Sequence, residues 1–290
     1  MRLMYSFVLD GDPRFLVQGR IFLRSLLAAG VSRDEIVAHV TPSSGAAGRE
    51  LASSFGVRSL HLTPGPDGKY TNKINQCFTL ADLDFDVLVA CDTDVAILRP
   101  LTEVASLQAI RAKRVDFENP PLEVLEELRG LMGVTQEARI VTPSCAPAGR
   151  TYALNCNGGM LLIPKPLLPA LGRAWLEYAT CLLAHAERMQ RWRMHVDQVA
   201  WAFALMTLAL PFEELPIEYN FPTGMARRIP AGSFGEPAVL HYHHRLGRSG
   251  LLKRSGVPVV DRAVGQVNAL LQRRAWWQRL SLPWGTTAIR

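Results

Sequence analysis

Asp92 and Asp94 follow an apolar run, Val87-Leu-Val-Ala-Cys91, and precede another, Val95-Ala-Ile-Leu98. In an extended chain, residues i and i+2 project to the same side. Two carboxylates would therefore leave the carboxyl end of a strand together. Open α/β sheets place their ligands at that edge. Paired hard oxygen anions suit a Mg²⁺ or Mn²⁺ ion that also holds a diphosphate. The alternative for a bare D-x-D is a solvated turn, since Asp is a common turn residue.

Four further segments carry side chains suited to the same chemistry. Thr71-Asn-Lys-Ile-Asn75 places Lys73 and two amides at a predicted helix start, a ready anion site. Asn155-Cys-Asn-Gly-Gly159 precedes an apolar run. Its glycines permit close backbone approach, and Asn157 offers a donor and an acceptor for sugar hydroxyls. His195-Val-Asp-Gln198 opens an apolar helix. Asp197 there is either an N-cap or, with Gln198, a holder of sugar hydroxyls beside a reacting carbon. In Val239-Leu-His-Tyr-His-His244, strand alternation puts His241 and His243 on one face. A neutral imidazole is a good third ligand beside two carboxylates.

The elements that must position these groups alternate between strand and helix over the first hundred residues. Strand signals fall at 3–9, 35–40 and 57–62 and on the run ending in the aspartate pair. Helical spacing falls at 15–29, 49–55 and 71–83. Such alternation implies crossover units and a parallel sheet. A helix is expected from the Pro120-Pro121 step to about Met132, then loop to Arg150 and a buried strand over 158–163. Long helices over 167–191 and 196–208 and a last strand at 238–242 complete the pattern. No linker is long enough to divide the chain. The expected fold is α/β, with a mixed, mostly parallel sheet flanked by helices in a single domain.

Nearly half of the 290 residues are apolar, enough for a sizeable core, and no run approaches the ~20 residues that span a bilayer. The N-terminus reads as a first strand rather than a signal peptide. Five cysteines, with no C-x-x-C pair, point to reduced thiols in a cytoplasmic protein. The net charge of +6 is uneven: from His241 onward there are nine Arg or Lys residues against Asp261 alone. That end also carries Trp276, Trp277 and Trp284. It suits the anionic inner face of a membrane, or a polyanionic sugar-phosphate, as well as it suits a solvated surface helix. Nothing in the chain resembles a nucleic-acid motif.

Taken in chain order, these segments resemble the GT-A glycosyltransferases, most of all the family of glycogenin and the bacterial lipopolysaccharide galactosyltransferases. The likeness spans roughly residues 3–245. It rests on Val87-Leu-Val-Ala-Cys-Asp-Thr-Asp94, Asn157-Gly-Gly159, Asp197-Gln198, Leu215-Pro216 with Tyr219-Asn220, and His241-Tyr242. It departs at Arg245-Leu-Gly-Arg-Ser-Gly-Leu-Leu-Lys-Arg254, where the family carries a Gly…Lys-Pro-Trp segment against the diphosphate.

The resemblance implies a Rossmann-like catalytic domain over 1–245. Its nucleotide-binding half would be 1–100 and its sugar and acceptor half 101–245, with 246–290 a basic extension. It implies transfer of a sugar from a nucleotide diphosphate sugar, with UDP the favoured nucleotide, to a glycan, lipid-linked or other hydroxyl acceptor. Asp92, Asp94 and His241 would hold Mn²⁺ or Mg²⁺, with His243 the substitute ligand and Asp92 reaching the ribose as well. Leu9, Asp10 and Lys73 would hold the nucleoside. Asn157, Gly159, Asp197 and Gln198 would hold the sugar and the reacting centre, and Lys253 or Arg254 the diphosphate. Retention of anomeric configuration is favoured over inversion, for which Asp197 would be the base. Acceptor choice is expected in 111–150, around Asp116 and Asn119. Two alternatives are a haloacid-dehalogenase-type phosphatase, which also uses D-x-D after a strand, and a non-catalytic sugar-nucleotide or glycan-binding protein.

Overall fold

The computed structural model describes residues 1–273. In chain order, β1 (Leu3–Leu9), α1 (Pro13–Ala28), β2 (Ile36–Val40), α2 (Gly45–Phe55) and β3 (Arg58–His61) alternate as expected. Short α3 (Gln76–Thr79) then leads to β4 (Val87–Cys91) and β5 (Val95–Ile97). Next come β6 (Ile110–Arg114), α4 (Leu122–Leu131), the small hairpin of β7 (Ile140–Val141) and β8 (Thr151–Tyr152), and β9 (Cys156–Pro164). The remainder is α5 (Leu168–Ala184), α6 (Ala186–Met189), α7 (Val196–Leu208), β10 (Phe212–Glu214), β11 (Phe221–Pro222), β12 (Val239–His241) and α8 (Pro258–Gln272).

The main sheet has seven strands in the order β10-β6-β9-β4-β1-β2-β3. β9 is antiparallel to both of its neighbours, and every other pair is parallel. Every residue of β4 and β9 is buried, as expected for strands covered on both faces. One face is covered by α3, α4, α5 and α7, where Trp175 and Trp201 meet edge to face at 4.9 Å. The other carries α1 and α2. A second, three-stranded sheet, β11-β12-β5, packs with α1 and α8 around Phe221, Leu240, Tyr242 and Val264.

Local sequence explains the boundaries that matter. Asp12 caps α1 by accepting the Arg14 N–H, with Pro13 in the first turn. Gly56 closes α2 in the left-handed conformation. α7 is buried on nearly every face because it lies between the sheet and α5.

Three expectations need correction. The helix predicted over 71–83 is a 3₁₀ turn, Asn72–Asn75, followed by the four residues of α3. The long helix predicted over 167–191 stops at Ala184. Past that point the chain turns through α6 and a 3₁₀ segment, Gln190–His195, with Gln190 at φ 45°. That turn returns the chain to the mouth of the sheet, where α7 begins. β6 and β10, where no element was expected, are strands of the main sheet. Residues 246–273 are joined to the rest through the third core, and Trp276, Trp277 and Trp284 lie outside the described residues.

Candidate functional site

β1 pairs with β2 on one side and β4 on the other, so the order of connection reverses between β1 and β4. Ligands of open α/β sheets bind at such a reversal, outside the carboxyl ends of the strands. A cleft of about 390 Å³ opens there, lined by residues that include Asp10, Lys73, Asp92, Asp94, Asp116 and His241. A depression of about 590 Å³ between α1 and β3 is lined by Arg33, Asp34 and Arg58 and holds no comparable cluster.

Asp92 leaves the end of β4, and Asp94 opens β5, which runs antiparallel to β12. The backbone carbonyl of Asp94 accepts the Tyr242 N–H at 3.0 Å, locking β12 against it. This register brings His241 Nε2 to 3.3 Å from Asp94 Oδ1. Asp92, Asp94 and His241 each present one ligand atom within 4.8 Å of the others. Burial alone would raise the Asp94 pKa. His241, reinforced by His244 and His243, instead holds it well below the usual carboxylate range, so the group is anionic at neutral pH. His241 Nδ1 is buried without a hydrogen-bond partner. Two carboxylate oxygens and one imidazole, whose Nδ1 is unpartnered, form a donor set that fits Mn²⁺ or Mg²⁺.

β12 ends at His241, and His243 and His244 have φ 45° and 59°. Strand alternation therefore does not place His243. The turn does so instead, stacking its ring on His241 with centroids 3.7 Å apart. Burial lowers the His243 pKa to about 3, so the stacked ring is neutral. His244 is held from behind by Gln18 at 2.6 Å, and Gln18 also accepts the Thr93 hydroxyl at 3.0 Å.

Lys73 is drawn into the cleft. Its Nζ lies 2.6 Å from Asp92 Oδ1 and 3.3 Å from Asp197 Oδ2, and donates to the Gly158 carbonyl at 3.2 Å. Burial opposes its charge, but the two carboxylates prevail and raise its pKa. Asp197 is pushed above the usual range by burial and by Asp92, against the pull of Lys73. Asp197 sits inside the first turn of α7, whose N-cap is His195. Gln198 Nε2 lies 3.3 Å from His195 Nδ1, and both residues line the cleft.

The Asn157-Gly-Gly159 segment lets these groups converge. A Cβ on Gly158 would lie 2.7 Å from Lys73 Nζ, and one on Gly159 would lie 2.5 Å from the His241 ring. The Gly159 carbonyl accepts the Asp92 N–H at 3.0 Å. Asn157 lines the cleft, but its amide is engaged by the protein. It donates to Asp116 at 2.9 Å and accepts from the Gly159 N–H at 2.9 Å and Asn220 at 3.1 Å. Asp116 is further held by Lys113, a lysine only 1% exposed, at 2.6 Å. Burial would raise the Asp116 pKa, but Lys113 brings it below the ordinary value.

The structure thus brings Asp10, Lys73, Asp92, Asp94, Asn157, Gly159, Asp197, Gln198 and His241 to one cleft. Asp10 also accepts from Thr41, Ser43 and Asn72. Leu9 is not among the lining residues: its side chain is fully buried in the core, and its carbonyl accepts the Thr41 N–H. Lys253 is exposed and does not line the cleft either. Sequence reasoning missed the supports Lys113 and Gln18, and had Asn220 only as part of a motif without a role. A buried lysine in the cationic strand Ile-Arg-Ala-Lys-Arg carries no signal of burial.

No family model matches the chain, and no curated protein does. Solved structures do. Galactosyltransferase LgtC, crystallised with donor and acceptor sugar analogues, superposes with a TM-score of 0.57 at 15% identity. The match covers 93% of this chain and 96% of that one. An active-site mutant of LgtC gives 0.56 at 15% identity, over 91% and 95%. The apo bifunctional glycosyltransferase WbbM gives 0.53 at 12% identity, over 83% of this chain and 46% of that one. The chain has the GT-A glycosyltransferase fold.

Proposed function

We propose that this protein is a divalent-metal-dependent glycosyltransferase that moves a sugar from a nucleotide diphosphate sugar, with UDP the favoured nucleotide, to a hydroxyl acceptor. The observation that carries the reading is the convergence of Asp92, Asp94 and His241 at the strand reversal, on a fold shared with LgtC and WbbM. LgtC is named as a galactosyltransferase, which favours a hexose donor here.

Asp92, Asp94 and His241 would hold the cation, which when bound supplies Lewis-acid neutralisation of a departing diphosphate. The remaining chemistry belongs to the chain. Lys73, kept cationic between Asp92 and Asp197, fixes both carboxylates and balances their charge at the reacting centre. Asp10, near the end of β1, would meet the nucleoside, and Asp116, Asp197 and Gln198 would meet the sugar and the acceptor; all four line the cleft.

Retention is the favoured outcome. Inversion requires a carboxylate free to take the acceptor proton, whereas Asp197 Oδ2 is committed to Lys73. The phosphatase alternative gains nothing from a fold shared with glycosyltransferases. A cytoplasmic location fits the five free thiols. No helix of the described residues is long and apolar enough to cross a membrane. Contact of the basic end with an anionic membrane remains an expectation that rests on the tail.

Thermal unfolding tests the reading. UDP at a hundred times its Kd adds about 2.7 kcal/mol to stability, a Tm rise of roughly 4–5 °C for a chain of this size. That rise should require Mn²⁺ and vanish with EDTA or in Asp94→Ala. Asp94→Ala should also lose at least about a hundredfold in turnover of a labelled UDP-sugar. A UDP shift indifferent to EDTA would refute the metal site. A metal-dependent shift without turnover of any UDP- or GDP-sugar would leave a binding protein.

A further inference from the structure

One wall of the cleft mouth is built from two segments, the 3₁₀ helix Thr223–Arg228 and the chain from His244 to Gly256. Both reach the cleft, the first through Met225 and the second through His244. This wall is strongly cationic. It carries Arg227, Arg228, Arg245, Arg248, Lys253 and Arg254, and among the described residues none of the six forms an ion pair.

Two of the six tie the wall together. Arg245 donates to the Thr223 carbonyl at 3.3 Å, and Arg227 donates to the Ser255 carbonyl at 3.1 Å. Arg228 is placed differently. Its guanidinium lies 5.3 Å from the centre of the Phe117 ring, and that ring lines the cleft. Stacking on an aromatic face holds a guanidinium in place while its N–H groups stay free for an anion.

The nearby carboxylates keep their charge, and Asp261 offsets Arg254 in part, but among the described residues none lies within ion-pair distance of the six cations. Asp116 is taken by Lys113, Glu118 accepts the Arg150 N–H at 2.8 Å, and Glu218 accepts the Gly235 N–H at 2.6 Å. Asp261 accepts from Ser255 and Gly256. Unpaired cations around a low-dielectric cleft attract anions and raise their local concentration.

We propose that the acceptor is anionic, a hydroxyl compound bearing a phosphate or carboxylate that docks on Arg228 and the wall behind it. Phe117 and Asp116 line the cleft from the segment 111–150, where acceptor choice is expected, so Arg228 would read a group on the acceptor. This rests on the glycosyltransferase reading and narrows its substrate class.

The test uses the full chain, Mn²⁺ and whichever UDP-sugar it hydrolyses. Transfer is compared for methyl glycosides and for their 6-phosphate and uronate counterparts. The charged acceptors should show a KM lower by about tenfold, an advantage that shrinks between 50 and 500 mM NaCl. Arg228→Gln should erase that advantage while the KM of the neutral glycoside stays put. As a readout free of turnover, glucose 6-phosphate should protect the protein against thermal unfolding where glucose does not, and Arg228→Gln should remove the difference.

Equal KM values for charged and neutral acceptors would overturn the proposal. So would a rise in donor KM in Arg228→Gln matching that for the acceptor, since the charge would then serve the donor's diphosphate. Absence of donor hydrolysis together with absence of metal-dependent UDP binding would instead refute the underlying glycosyltransferase reading.

Discussion

Gly159→Ala is the sharpest probe of the site, because it adds one methyl group and no charge. The new Cβ would sit 2.5 Å from His241 Cε1 and Nδ1 and 2.9 Å from Asn157 Oδ1. Ordinary van der Waals contact begins about 1 Å farther out. The ring has little room to retreat: it is 5% exposed and stacked on His243 at 3.7 Å. Any displacement also changes its 3.3 Å approach to Asp94. Metal ligands tolerate roughly ±0.2 Å, so a shift near 1 Å should cost about 10- to 100-fold in Mn²⁺ affinity, the scale of losing an orienting group. Overpacking should add a stability loss of about 1–3 kcal/mol. Gly130→Ala is the matched control, since a Cβ there meets nothing within 4 Å on an exposed turn of α4. That change should stabilise by about 0.5–1 kcal/mol and leave Mn²⁺ binding alone. Calorimetric titration with Mn²⁺ in the presence of UDP, with urea unfolding of both variants, makes the comparison. Wild-type Mn²⁺ affinity and an unchanged urea midpoint in Gly159→Ala would refute the packing on which the candidate site depends.

Two further outcomes follow from the titrating groups. His39 is fully buried between the Ser6 and Thr79 hydroxyls, and burial lowers its pKa to about 3. The unfolded chain binds its proton below about pH 6.5 and the folded chain does not. Stability should therefore fall as pH drops from about 6.5 toward 3, by about 1.4 kcal/mol per pH unit from this group. His39→Gln should flatten the slope of stability against pH by that amount; urea midpoints at pH 7, 6 and 5 that keep the wild-type slope would show the burial argument to be wrong. Asp197→Asn removes the deeper partner of Lys73 and should lower turnover by about a hundredfold. Because burial and Asp92 raise the Asp197 pKa, an acid limb of the wild-type rate profile lying above the ordinary carboxylate range should disappear in the variant.

The aspartate pair, the glycine pair, Asp197-Gln198 and His241 were legible because their chemistry is unusual on apolar elements. α7 was legible to its ends, since thirteen mostly apolar residues read alike in sequence and in space. β6 was not. Three of its five residues are cations, and it is a strand because β9 and β10 flank it and satisfy its backbone while Asp116 neutralises Lys113. The break after Ala184 was also hidden: helical spacing continues past it, and the turn exists because His195 must come back to the cleft. Lys73 was visible as a candidate, but its place between two carboxylates required the fold. Leu9 is the reverse case, a position named for the nucleoside whose side chain belongs wholly to the core.

The cluster of Asp92, Asp94 and His241 has a consequence for biogenesis. Its carboxylates emerge in the first third of the chain, whereas the imidazole arrives only after β12 has docked antiparallel to β5. A ribosome-bound intermediate lacking that late strand would hold at best an incomplete ligand set. Cation capture would thus report completion of the second sheet, and starvation for the ion would fall hardest on newly made molecules.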